Sequence, residues 1–412
     1  MDDMTRRGFL AAGAVVAAPY ILRSEDKAGT KNPIIGEGEY KYECIHDWGQ
    51  LPSNIKYGNT HSVVEDSQGH IYIHHTVYAD SPSADSVVVF DEKGKFVRSF
   101  GPMFRGGAHG LFLSKEGKDE YLYFCDEKHG IVSKRTLKGE EVWTMGYPQD
   151  SKPYTKGPGA PGLNYRPTNF AIAPNGDFWV GDGYGSYYMF HYSQKGNSYP
   201  KLVNTFGGPP AAPAGAAPGG GGGRGQGKGP GGPGGDQAKG PAPDQAKGGG
   251  GGGRAAAPPR QPGQPGVPRN QPIESMNNPH GNMIDLRDPA KPILLVADRG
   301  NQRIVRYTLD DKPIDVVAGT LQPCHFHEHK GMIVVPDLAS RVTLLDKDNK
   351  VVAHLGEGLV GNPPRTTDDR SKFVPGQFVN PHGACFDHVG NIFVAEWVEI
   401  GRVTKLRKLR SS

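Results

Sequence analysis

The sequence predicts an all-β, six-bladed β-propeller, and three observations carry that prediction. Short apolar strands separated by Asp, Asn and Gly turns recur at about 45–60 residues, a period that belongs to propellers and arrays. Six inner strands can be laid over one another, in THSVVEDSQG (60–69), AHGLFLSKEG (108–117), PTNFAIAPNG (167–176), PHGNMIDL (279–286), PCHFHEHKG (323–331) and PHGACFDHVG (381–390). The sixth copy stops after its third strand, while KYECIHDWG at 41–49 has the pattern of the missing fourth. A ring closed by strands from both ends of the chain removes exposed sheet edges.

The remaining strands follow in order. Second strands end in an acid at Asp126, Asp182, Asp298, Asp337 and Glu396, and in blade 1 the same position is His75. Third strands appear in SVVVFDEKGK, IVSKRTLKGE, YYMFHYSQKG, RIVRYTLDDK, RVTLLDKDNK and RVTKLRKL, and fourth strands in FVRSFG, EVWTMG, LVNTFGG, IDVVAGT and VVAHLGEG.

The chain has 60 Gly and 36 Pro among 412 residues, an excess concentrated between blades three and four. From 209 to 270 almost no bulky apolar side chain offsets the entropy of ordering, so this stretch reads as a disordered insertion, one long surface loop. The chain therefore divides into a leader (1–24), the closing strand with blades 1–3 (40–208), the insertion (209–270) and blades 4–6 (271–410). In the leader, Thr5-Arg6-Arg7-Gly8-Phe9-Leu10 precedes AAGAVVAAPYIL, the pattern of a twin-arginine export signal. It predicts a periplasmic or extracellular protein, with the segment either cleaved or kept as the chain's one membrane anchor. A net charge of +4, dispersed along the chain, gives no ground for nucleic-acid binding. Cys44, Cys125, Cys324 and Cys385 form no CxxC pair, which leaves disulfides and buried thiols both open.

In a propeller the first residues of the inner strands converge at one mouth of the central channel. His109, His280 and His382, each followed by glycine, hold that slot in blades two, four and six and should form a trigonal set. Neutral imidazole is the commonest metal ligand, and three of them with an open fourth position suit a catalytic divalent transition metal, zinc above all. His61 holds the slot in blade one, and Thr168 and Asn169 lie near it in blade three. In blade five either Cys324 or His325 faces inward, and His325, His327 and His329 share one strand face, either as a second metal site, as an extension of the first, or with His327 and His329 exposed near the turn before Gly331. Tyr184, in the turn after Asp182, lies on the side of the slots as a candidate proton-transfer group.

At these residues the chain resembles the NHL-repeat propellers and, within them, the peptidyl-α-hydroxyglycine α-amidating lyases. PGQFVNPHG (375–383) is similar to the repeat, while RPTNFAIAPNGDFWVGDGYG (166–185) and NNPHGNMIDLRDPAKPILLVADRGNQRIVRY (277–307) resemble two consecutive lyase blades. The resemblance implies zinc on His109, His280 and His382, and Tyr184 as the catalytic tyrosine. It also implies cleavage of a peptidyl-hydroxyglycine C–N bond to a peptide amide and glyoxylate. The family's essential arginine aligns with His75, which as a cation can replace it in part, since histidine offers no permanent bidentate clamp. Asn380 and Gly383 stand where the family has a methionine and an aspartate, which speaks against the family's structural calcium. The expected partner is a small-molecule or peptide substrate. A non-catalytic propeller binding a protein or glycan is the alternative, and a calcium-dependent lactonase the third reading, without an evident acidic ligand set.

Overall fold

The computed structural model describes residues 32–155, 157, 164–210, 266 and 268–409. The leader at 1–24 and most of the 209–270 insertion lie outside these residues. Six antiparallel sheets follow one another around a central channel, each with its first strand innermost. Blades 1 to 5 have four strands each, with inner strands Thr60–Glu65, Ala108–Glu116, Phe170–Ile172, Pro279–Asp285 and His327–His329.

The sixth sheet joins the ends of the described chain. Tyr42–Ile45 pairs antiparallel with Arg402–Lys408, in register Tyr42↔Lys408 through Ile45↔Lys405, so the strand expected at 41–49 does close the ring. A fifth strand missed in the sequence, Ile34–Ile35, then pairs outside Tyr42–Ile45. At two residues it carries too little periodicity to be recognised.

Apolar packing lies between blades. Six clusters of buried side chains fill the six inter-blade seams. Val334, Leu344 and Leu355 of blade 5, for instance, meet Tyr42, Phe386, Val394 and Leu406 of blade 6. Phe90 and Ile73 of blade 1 meet Phe393 and Val403 of blade 6. Strands buried on both faces read as continuous apolar runs, as in VVVF and ILLVAD. All four cysteines are buried and reduced: Cys44, Cys125 and Cys385 belong to these clusters, and Cys324 lines the channel.

In blades 3 to 6 the strand-end acids secure the loop that enters the blade, whereas Asp126 of blade 2 accepts the Lys128 and His129 N–H groups of its own turn. Asp298 accepts the Asn277 N–H at 2.8 Å, Asp337 the Leu321 N–H at 2.6 Å, Glu396 the Val379 N–H at 2.7 Å and Asp182 the Arg166 N–H at 2.8 Å. Arg303, Arg341 and Arg402 stand beside three of them. Their role is structural, and they hold the slot residues at a fixed depth in the channel. The tail of the insertion is also docked, with Gly266 bridged to Gly319 and the Arg269 N–H on Asn301 O at 2.9 Å.

Ring closure by Tyr42–Ile45 makes a prediction. Truncation to residue 47 uncovers the edge of Arg402–Lys408 and the apolar faces that Tyr42 and Cys44 cover, and should give an aggregating protein. Truncation to residue 25 should leave solubility and the melting temperature unchanged in light scattering and calorimetry.

Candidate metal centre and its tyrosine

Each His-Gly pair solves a packing problem at a blade seam. Nδ1 of His109 donates to Thr168 O at 2.7 Å, Nδ1 of His280 to Cys324 O at 2.8 Å, and Nδ1 of His382 to His61 O at 2.9 Å. A carbonyl can only accept, so Nδ1 carries the proton in all three rings and Nε2 keeps its lone pair. The following glycine is what lets the next blade approach. A Cβ at Gly110, Gly281 or Gly383 would lie 2.3, 2.6 or 2.4 Å from those same three carbonyl oxygens.

The three rings meet in the channel. Their centroids are 4.8 Å apart for His109 and His280, 4.8 Å for His109 and His382, and 4.7 Å for His280 and His382. His61 extends the group, 5.0 Å from His109 and 4.7 Å from His382. Donor atoms lie within 4.8 Å of one another in two sets that share His382, namely His61, His109, His382 and His280, Cys324, His382. Nε2 of His382 is buried without a partner, an unsatisfied acceptor of the kind a cation would take up. Burial holds the imidazole of His382 down to about 3, and it also holds His61, His109 and His280 well below the ordinary histidine range. They are therefore neutral at neutral pH, the form that ligates metal. These donors fit a transition metal, and the absence of a carboxylate from either set disfavours calcium.

Tyr184 stands over this group. Its hydroxyl is 3.1 Å from His280 Nε2 and 3.3 Å from His109 Nε2, and it accepts from an Arg299 Nη at 3.0 Å. Burial raises the phenol's pKa, and the Arg299 guanidinium acts against that rise. The guanidinium groups of Arg166 and Arg299 lie 5.1 and 5.2 Å from the Tyr184 ring centre. A third arginine, Arg365, stacks on Trp397 at 3.8 Å.

Arg299 is not marked by the repeat, which singles out the strand-end acids themselves. The signal was one residue further on. The turns after the acids carry the groups around the mouth: Glu127, which pairs with Arg166, then Tyr184, Arg299 and Trp397. His75 occupies an acid position and, like the acids, is tied into its own turn. Its Nδ1 accepts the Val77 N–H at 3.1 Å, and its ring packs against Tyr57 at 4.8 Å, with no contact to Tyr184 or to the slot histidines. The expectation that His75 stands in for a substrate clamp is therefore corrected, and Arg299 supplies the guanidinium beside the tyrosine.

In blade five both open readings hold in part. Cys324 supplies the slot carbonyl and a thiol within the donor set, while His325 is buried with Nδ1 on Ala384 O at 3.1 Å and Nε2 unpartnered. His327 accepts the Phe386 N–H at 3.1 Å. Neither three-residue donor set among the described residues includes His325, His327 or His329, and His109 and His280 fall in different sets joined through His382. Asn169 faces the seam to blade 4, where its carbonyl accepts from Asn282 at 3.0 Å and its side chain from the Phe170 N–H at 2.9 Å.

No family model matches the chain, and no curated protein matches it. Among solved structures it is similar to a streptogramin B lyase, at 10% identity over 90% of this chain and 99% of that one, with a TM-score of 0.47. A gluconolactonase of Xanthomonas campestris gives 10% identity over 95% and 99% of the two chains, with a TM-score of 0.49. A Bacteroides thetaiotaomicron protein of unknown function gives 12% identity over 90% and 78%, with a TM-score of 0.49.

Two predictions follow from the seams and the buried imidazoles. Gly281→Ala should push Cys324 O away from His280 Nδ1, lowering the melting temperature and weakening metal binding about 10- to 100-fold in a competition titration. His74, His75 and His382 are each held down to about 3 by burial, so between about pH 6.5 and 3 the unfolded chain binds more protons than the folded one. Stability of the metal-free protein should therefore fall as pH drops below about 6.5, by up to about 1.4 kcal/mol per pH unit per histidine. Urea titrations from pH 7 to 5 measure this, and His382→Gln should flatten the slope.

Proposed function

We propose that this propeller is an exported, metal-dependent carbon–nitrogen lyase acting on a peptidyl-α-hydroxyglycine or a close analogue. The observation that carries the reading is the Tyr184 hydroxyl, shared between two slot imidazoles and one guanidinium. Three neutral imidazoles with fixed tautomers would hold the ion through Nε2, with His109, His280 and His382 as ligands. A bound transition metal polarises a hydroxyl oxygen and lowers its pKa.

The chain's own groups would then divide the work. Arg299, a permanent cation at the tyrosine, would orient the substrate carboxylate through its fork of N–H donors. Tyr184 would take the proton of the substrate hydroxyl while its own phenolic proton passes to the departing amide nitrogen. The carbinol carbon gains its C=O bond as the C–N bond breaks, giving glyoxylate and a peptide amide, with no net change at the tyrosine. A phenol kept protonated by burial suits this exchange, which needs no prior ionisation.

The purified protein should contain about one equivalent of a divalent transition metal, retained in Tyr184→Phe and lost in His280→Ala. Turnover of a peptidyl-α-hydroxyglycine should fall about 10²- to 10⁴-fold in Tyr184→Phe, the usual worth of a positioned proton-transfer group. Arg299→Met should raise KM for the carboxylate substrate more than for its amide. Equal metal content in wild type and His280→Ala, together with unchanged turnover in Tyr184→Phe, would falsify the lyase reading and favour a binding platform.

A further inference from the structure

The two donor sets differ in chemistry as well as position. Across the channel mouth His61 neighbours His109 and His382, both of these neighbour His280, and Cys324 shares a donor set with His280 and His382. One end is nitrogen and the other is sulfur. His382 belongs to both sets but has one lone pair to give, because its Nδ1 is engaged by His61 O at 2.9 Å while Nε2 is buried and unpartnered. An ion on His382 can thus lean toward His61 or toward Cys324, but not both.

We propose that Cys324 is a protein ligand of the channel ion beside His280 and His382, engaged by thiophilic metals and left aside by metals that prefer nitrogen and oxygen. This rests on the metal-site reading above. The Cys324 side chain is buried, and its Sγ lies within 4.8 Å of donor atoms on both His280 and His382. An Arg299 Nη donates to Sγ at 3.5 Å, so a cation already faces the sulfur where thiolate charge develops. On binding, the sulfur–metal bond replaces the S–H bond and the proton leaves to solvent. Soft thiolate donors select Cu(I), Zn2+ and similar ions, whereas imidazole alone accepts a wider series. The sulfur end would therefore bias which metals the channel retains.

The test uses cobalt and cadmium on the full chain, with no activity readout. Co2+-loaded wild type should show a thiolate-to-cobalt charge-transfer band in the near ultraviolet, and Cys324→Ser should lose that band while keeping visible bands from imidazole ligation. Cys324→Ser should also bind Cd2+ at least about tenfold more weakly, with Mn2+ affinity changed less. As a measurement on wild type alone, Cd2+ loading should add a thiolate-to-cadmium absorption in the ultraviolet that the apoprotein lacks. Cobalt bound with no charge-transfer band, and cadmium bound with none, overturns the ligand role of Cys324 and leaves the histidine site standing. No cobalt bound at all overturns both.

Discussion

The contact on which the rest depends is the hydrogen bond from a slot imidazole to the carbonyl of the next blade, made three times around the ring. It joins neighbouring sheets at the channel wall, where no apolar side chain can, and it fixes the tautomer that turns each Nε2 inward. The glycine after each histidine permits it, because any Cβ there would overlap the accepting oxygen. His-Gly is thus one structural unit in which backbone approach and ligand orientation have the same cause. The odd-numbered blades are the complement: His61, Thr168 and Cys324 present carbonyls to the ring on one side, and Thr168 also donates its hydroxyl to Pro279 O at 3.0 Å.

Much of the fold was legible because its signals repeat. Strand alternation, the acid at each second strand end and the register of His109, His280 and His382 each appear several times, so a misreading in one copy is checked by the others. What appears once was harder to see. Arg299 has no counterpart in the repeat pattern and is recognised by the phenol it faces across a seam between blades. Cys324 and His325 could not be separated by alternation because the inner strand of blade 5 is regular over only three residues, His327–His329. His75 was misplaced for the opposite reason: the repeat aligned it correctly with the acids, but the acids are structural, and so is His75.

The electrostatics follow from burial and from the three arginines at the mouth. Neutral imidazoles beneath, guanidinium groups above and a protonated phenol between them make a channel with cationic character before any metal enters. Such a mouth would favour an anionic ligand, and the Glu127–Arg166 pair offsets part of that charge on one side.

The strand that closes the ring also orders events in time. His46 meets Thr404 across 358 residues of sequence, and His382 reaches His61 across 321. During synthesis the first blade must therefore wait, with one flank unpartnered, until the sixth has emerged. A cation seated on His61 and His382 together, or on His109, His280 and His382, can be captured only after that last docking. If the channel holds an ion as proposed, its presence would record completed folding, because a chain stalled short of blade 6 would carry every other ligand but lack His382.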